Sequence, residues 1–167
     1  MSDPSSNNRN AEFVNFLKSL LHNAGVVIVG FGFAFLGTAL DSLVGVARFH
    51  SVITTAVAWP LLAIGFLLRV WATFHFYQRQ MKVISLVPQK SLITTGPYRF
   101  SRNPLYLGGN VFIFLGAVFL IGSPSGIVLT AINVLVAEFM IRREEKQLAR
   151  EFGEAWVHYK NRVRRWL

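Results

Sequence analysis

The sequence predicts an all-α integral membrane protein with about four transmembrane helices, a helical hairpin among them, and a cytosolic C-terminal helical tail. Three observations carry this. Hydrophobic residues make up 53% of the 167, above the roughly 45–50% of ordinary soluble domains, and the mean hydropathy is +0.43. Those residues gather in blocks long enough to cross a hydrocarbon core of about 30 Å at about 1.5 Å per residue. The cations flank the blocks: Lys and Arg total 17 against 8 Asp and Glu, a formal charge of +9. Such a balance can signal nucleic-acid binding. Here the cations follow the apolar blocks, as in a chain threaded through a bilayer with an anionic face, so no nucleic-acid partner is expected. One domain is the prior for this length. It divides into a polar N-terminus with an amphipathic helix (1–23) and a membrane domain (24–167). No cysteine occurs, which excludes disulfides, thiolate zinc sites and a cysteine nucleophile.

The elements follow in order. Met1 to Asn10 is polar and reads as disordered, without the basic and apolar regions of a cleavable signal peptide. Ala11 to His22 carries Phe13, Phe16, Leu17, Leu20 and Leu21 at helical spacing. It is either an amphipathic helix on the membrane surface or an extension of the first span. Ala24 to Val46 is that span, with Asp41 as its sole charge. Val52 to Trp71 is the second and contains Pro60, a potential kink. Leu105 to Ile121 and Ser125 to Phe139 are the third and fourth, turned by Gly122, Ser123 and Pro124 into a tight hairpin. Glu138 to Gly153 continues as a charged helix that Gly153 ends. Glu154 to Trp166 reads as a short basic helix with Trp156, Tyr159 and Trp166 against lipid headgroups.

Orientation follows from the loops. The connection from Phe74 to Asn103 holds Arg79, Lys82, Lys90, Arg99 and Arg102, and eight further cations lie between Arg142 and Arg165. The Ala47–Ser51 loop has only Arg48, and the hairpin turn has no charge. Four spans put the N-terminus, the basic connection and the tail on one side, which the excess of cations makes cytoplasmic.

Two polar segments on that side could carry chemistry. The first runs from Ser91 to Gly109 and contains the turn signals Gly96-Pro97 and Asn103-Pro104, with Tyr98 and Tyr106 beside them. It is either the floor of a pocket, with backbone N–H groups exposed to an anion, or a plain loop with interfacial tyrosines. The second runs from Glu138 to Gly153, where Glu138, Arg142 and Glu145 share a helix face and Glu144 lies one residue aside. Its carboxylates could hold a ribose diol or a ligand ammonium, or merely pair with arginines on a solvated helix. His22, His50, His75 and His158 are scattered without i, i+4 pairing, so no metal site is expected. Arg69, near the cytoplasmic end of the second span, either snorkels to the interface or faces a cavity. Asp41, near the opposite face, reads as an interfacial residue outside the site.

Together the two segments resemble the C-terminal core of the isoprenylcysteine carboxyl methyltransferase family, a group that includes phospholipid methyltransferases. The resemblance rests on Leu92 to Tyr98, on Arg102 to Tyr106, on the hairpin, and on Glu144 to Tyr159, and covers Leu86 to Leu167. Each motif alone is weak; their order and spacing make the match specific. It implies a membrane-integral methyltransferase using S-adenosyl-L-methionine, with a cytosol-facing pocket capped by the tail and a lipid-borne or hydrophobic substrate arriving from the bilayer. The residues implied to hold the cofactor are Ser91, Leu92, Ile93, Tyr98, Asn103, Pro104, Leu105, Tyr106 and Glu144. Arg102 matches a family arginine near the reacting groups and would orient an anionic substrate group, with Glu145 supporting the helix or the pocket. Two departures stand out. Asn103 replaces the more familiar His and cannot act as a base, and Met140 stands where the carboxyl methyltransferases place a substrate-binding arginine. The second argues against a prenylcysteine carboxylate as acceptor.

Methyl transfer from a sulfonium needs alignment in a dry site more than a general base. The expected partners are therefore the bilayer and a lipid or hydrophobic small molecule; oligomeric state is left open. Two other readings compete: an NADPH-dependent membrane reductase of the sterol-reductase type, and a non-enzymatic membrane scaffold. The scaffold reading requires that Tyr98, Asn103 and Glu144 do not converge.

Overall fold

A backbone in lipid must satisfy its own hydrogen bonds, so apolar blocks of this length become helices. The computed structural model describes residues 4–79 and 91–167. Its elements are α1 (Pro4–Val44), α2 (Val52–Gln78), a 3₁₀ turn (Gly96–Arg99), α3 (Pro104–Ile121) and α4 (Pro124–Arg162). All four long helices are apolar enough to cross a membrane. Lys82 and Lys90 of the basic connection, and Leu86 to Lys90 of the resembling stretch, lie outside the described residues.

The helix ends follow local chemistry. Ser51 caps α2, its hydroxyl accepting from the Thr54 N–H at 3.1 Å, and Thr54 returns the bond to the Ser51 N–H at 3.1 Å. Gly122 ends α3 in the left-handed region at φ 77°. Ser123 then caps α4, accepting from the Gly126 N–H at 2.9 Å, with Pro124 as the first helical residue. The expected hairpin is therefore present, and its turn is two residues long.

Several expectations are corrected. The N-terminal stretch is helical from Pro4, while Met1–Asp3 lie outside the described residues. Extending a helix already nucleated costs far less than starting one, so polar residues can continue it. Of its two readings, Ala11 to His22 takes the extension of the first span: α1 runs through it unbroken. Phe16 packs edge-on against Phe74 of α2 with ring centroids 6.4 Å apart. α2 extends seven residues past Trp71, to Gln78. Gly153 does end the first helical segment of α4, with non-helical φ 49° and ψ −122°; a second helical segment follows on a new axis and stops at Arg162, short of the expected Trp166. Asp41, read as interfacial, is buried; its carboxylate accepts from the Ser123 hydroxyl at 2.5 Å and the Ser125 N–H at 2.8 Å. That ties α1 to the start of α4, where an anion is favoured by the helix dipole.

In lipid, helices associate by close packing rather than by excluding water, so small residues mark the contacts. A Cβ on Gly37 of α1 would stand 2.6 Å from the Gly126 Cα of α4, and one on Gly65 of α2 would stand 2.6 Å from the Gly108 carbonyl oxygen. Ala34, Ala117 and Val118 fill the gap between α1 and α3. Leu21, Ile28, Val52, Ile53, Leu67 and Leu135 point outward, where acyl chains would meet them.

Candidate functional site

The stretch from Leu92 to Tyr98 lies between two helices. Ile93 and Tyr98 are buried with Ala72 of α2, and Phe76 and Leu105 pack against them. Leu92 turns the other way, joining Leu148, Phe152, Trp156, Tyr159 and Val163. Ser91 is half-buried at the start of this strip. Arg79 holds the strip from α2, donating to the Leu92 carbonyl at 3.3 Å and the Thr95 hydroxyl at 3.2 Å. Gly96 has φ 61°, and a Cβ there would lie 2.3 Å from the His75 ring. Both the backbone conformation and the imbedded imidazole therefore demand glycine. The Tyr159 hydroxyl donates to the Tyr98 carbonyl at 2.8 Å, fixing the turn from the tail.

Tyr98 is the unusual member. Its ring lies 5.9 Å from that of Phe76, and its hydroxyl is buried without a hydrogen-bond partner among the described residues. Burial pushes this phenol well above the usual range, so it remains a donor at neutral pH. A buried unpaired hydroxyl is costly, and such groups in folded proteins call for an explanation, a ligand among them.

The two polar segments meet. The Tyr106 hydroxyl on α3 donates to Glu144 Oε1 on α4 at 2.7 Å, across 38 residues of sequence. Glu144 is otherwise exposed, and Tyr106 is half-buried. Glu144 lies within electrostatic reach of Tyr98. Below them the backbone from Leu107 to Ile113 is π-helical, a widened turn frequent at functional sites. There the Asn110 amide donates to Asn133 Oδ1 at 2.5 Å, a second polar tie between α3 and α4.

Arg102, Asn103 and Glu145 belong to a neighbouring cluster where the loop meets the tail. Bent back by Gly153, the tail accepts three bonds. The Arg102 N–H reaches the Arg164 carbonyl at 2.9 Å, and the Ser101 hydroxyl and Asn103 amide reach the Arg165 carbonyl at 3.2 and 3.1 Å. Glu145 is nearly buried and bonded on both oxygens. Arg102 Nη2 meets Oε1 at 3.0 Å, and Arg165 Nη2 meets Oε2 at 2.6 Å. Arg102 also donates to the Lys160 carbonyl at 3.0 Å and lies 5.6 Å from the Trp156 ring centre, while its Nε is buried and has no partner among the described residues. Pro104, buried, begins α3 between the two clusters. Of the residues named from sequence, Ile93, Tyr98, Leu105, Tyr106 and Glu144 thus gather on one side, and Arg102, Asn103 and Glu145 on the other.

The interior also contains a network that the sequence reading missed. Arg69 does not snorkel; it is buried, with Nε donating to Asn23 Oδ1 at 2.8 Å and Nη1 to the Leu105 carbonyl at 2.6 Å. Asn23 donates in turn to the Thr73 hydroxyl at 2.8 Å, and Ser19 bonds Thr73 and the Val70 carbonyl. The available signal was spacing: Ser19 and Asn23, and Arg69 and Thr73, are i, i+4 pairs of polar residues in apolar helices.

A hollow of about 600 Å³ opens beside α4, lined in part by Arg142, Arg143, Lys146, Lys160, Arg165 and Glu145. It excludes Tyr98, Asn103, Tyr106 and Glu144. Five cations around one carboxylate repel a positively charged ligand, so this hollow is unsuited to a sulfonium. The Glu144 side, with a carboxylate and three aromatic rings, is electrostatically suited to one.

A family model described as phospholipid methyltransferase matches residues 53–155. The match is more than half of the chain and runs from the start of α2, through the Leu92–Gly109 stretch and the hairpin, to just past Gly153. No curated protein and no solved structure matches the chain.

Proposed function

The chain belongs to the phospholipid methyltransferase family and is a membrane methyltransferase; on that premise we propose that it transfers a methyl group from S-adenosyl-L-methionine to a lipid-borne or hydrophobic acceptor at the cytoplasmic face. The observation that carries the proposal is the Tyr106–Glu144 bond beside the unpaired Tyr98 hydroxyl. It joins the stretch entering α3 to the acidic stretch of α4, and it leaves one buried donor unused.

The residues fit the methyl donor. Glu144 supplies the negative charge that a sulfonium or ammonium favours, and Tyr106 orients that carboxylate. Tyr106, half-buried beside Glu144, supplies an aromatic ring near that charge. Ile93 and Leu105 keep water out, and the backbone of Ser91, Leu92 and Ile93 supplies donors and acceptors along the rim. Asn103 and Pro104 set the entry of α3 and close the site toward the tail. The donor, once bound, brings an activated methyl group on sulfur, so the chain itself needs to align rather than to ionise. Arg102 retains a buried unpaired Nε for an anionic group of the acceptor, and Glu145 holds its guanidinium in place. A charge-assisted bond to Nε would orient the acceptor without a base at Asn103. Met140 lies at an exposed position without a cation's reach, which favours an acceptor other than a prenylcysteine carboxylate.

The test uses purified protein, methyl-labelled S-adenosylmethionine and a native lipid extract. Label is expected in a lipid fraction, and no transfer to any fraction would overturn the proposal. Calorimetry with S-adenosylhomocysteine should show binding, and NADPH none. Glu144→Ala should weaken that binding about 10- to 100-fold, the range of a bond to a charged group. Unchanged affinity in that variant removes Glu144 from the site.

A further inference from the structure

Arg69 makes no ion pair among the described residues, although it is buried at the level where α2 approaches the site. A lone cation inside a membrane protein is costly and is retained where it faces a counter-charge, a cavity or a substrate. Its position is constructed rather than incidental. A Cβ on Gly108 would stand 2.8 Å from its Cγ, and one on Gly109 would stand 2.6 Å from its Nη1, so the Gly108-Gly109 pair leaves the room that its side chain fills. Asn23 and the Leu105 carbonyl engage Nε and Nη1 and aim the guanidinium; Nη2 has no partner among the described residues. Tyr98 and Tyr106 lie within electrostatic reach of Arg69, and both also feel Glu144. No bond joins Arg69 to Glu144. The site therefore keeps a cation from α2 and an anion from α4 apart, with two phenols in range of both, one of them an unpaired buried donor.

We propose that Arg69 and the Tyr98 hydroxyl bind the carboxylate of the methyl donor's amino-acid end, with Glu144 left for its positive groups. The inference rests on the methyltransferase reading above and adds what that reading does not assign: a use for Arg69, and a zwitterion as the shape of charge the site recognises. A carboxylate satisfies Nη2 and the phenol together, and its charge compensates the guanidinium. Both bonds are charge-assisted and lie in a low-dielectric interior, where such bonds are strong.

The experiment measures, by calorimetry, the affinity of the full-length protein for S-adenosylhomocysteine and for its decarboxylated counterpart. Wild type should prefer the carboxylate-bearing ligand about 10- to 100-fold. Tyr98→Phe removes a hydroxyl that bonds to none of the described residues, so the fold is retained. It should lower affinity for S-adenosylhomocysteine and leave the decarboxylated ligand unaffected. Arg69→Gln should abolish the preference. Equal affinity of wild type for the two ligands, or a preference that persists in both variants, overturns the assignment while leaving the methyltransferase reading intact. Binding of neither ligand by wild type overturns the reading and the assignment with it. Equal weakening toward both ligands in Arg69→Gln, with Tyr98→Phe unchanged, makes Arg69 a structural tie only and also overturns it.

Discussion

Tyr106 makes one decisive contact far away in sequence and Asp41 makes two, with opposite consequences. Tyr106 positions the Glu144 carboxylate with a single phenolic hydrogen bond. Tyr106→Phe keeps the ring and loses the bond. Affinity for S-adenosylhomocysteine should fall about three- to tenfold, less than for Glu144→Ala, because the charge remains while its orientation relaxes. Calorimetry on the two variants side by side checks that order. Asp41 sits at the other end of the helices and caps the start of α4. Asp41→Ala strands the Ser125 N–H and removes the tie to Ser123. A loss of about 1–2 kcal/mol in stability is expected, seen as a lower unfolding temperature in detergent, with ligand affinity per folded molecule unchanged.

Elements are set in place by a few glycines and one charged cluster. Gly153 adopts φ 49° and ψ −122°, a region essentially reserved for glycine, and lets α4 turn back so that Tyr159, Arg164 and Arg165 reach the loop before α3. Gly153→Val should straighten or strain this bend and release the tail. Protease cleavage between Glu154 and Leu167 should then accelerate, while wild type resists. The same tail is held by Glu145 between Arg102 and Arg165. Arg102→Ala leaves Glu145 with Arg165 as its partner but loses a nearly buried charge-assisted bond, at a cost of about 1–3 kcal/mol. It should therefore destabilise more than Arg142→Ala, whose i, i+4 pair with Glu138 is exposed on the arginine side. Unfolding midpoints of the two variants decide this.

At the scale of the whole molecule, and under the proposal above, the four candidate spans among the described residues put both ends of the chain on one side, which the cations flanking α2, α3 and α4 mark as cytoplasmic. The absence of native cysteine makes the test direct. His50→Cys lies in the loop after α1 and Glu154→Cys in the tail, and both wild-type residues are exposed. In intact cells a membrane-impermeant thiol reagent should label His50→Cys only. Glu154→Cys should require permeabilisation. The reverse pattern would move the site to the opposite face and exclude a cytosolic methyl donor.

Span number, the Gly122–Pro124 turn and the cation asymmetry were determined by the sequence alone. Each is a local consequence of hydropathy, of proline and glycine geometry, or of the cost of moving charge across lipid. The motif residues were legible too, because turn signals and paired acids stand out against apolar blocks. Which way each helix is rotated was not legible. That rotation decides that Arg69 faces inward to Asn23 rather than snorkelling, and that Glu144 meets Tyr106 while its neighbour Glu145 meets Arg102 and Arg165. It also leaves the Tyr98 hydroxyl without a partner among the described residues. Neighbouring residues on a helix point about 100° apart, so periodicity can group the faces of one helix but cannot say which partner each face will meet. Only packing among α1, α2, α3 and α4 selects those contacts, through close approaches such as Gly65 to Gly108 that span dozens of residues of sequence.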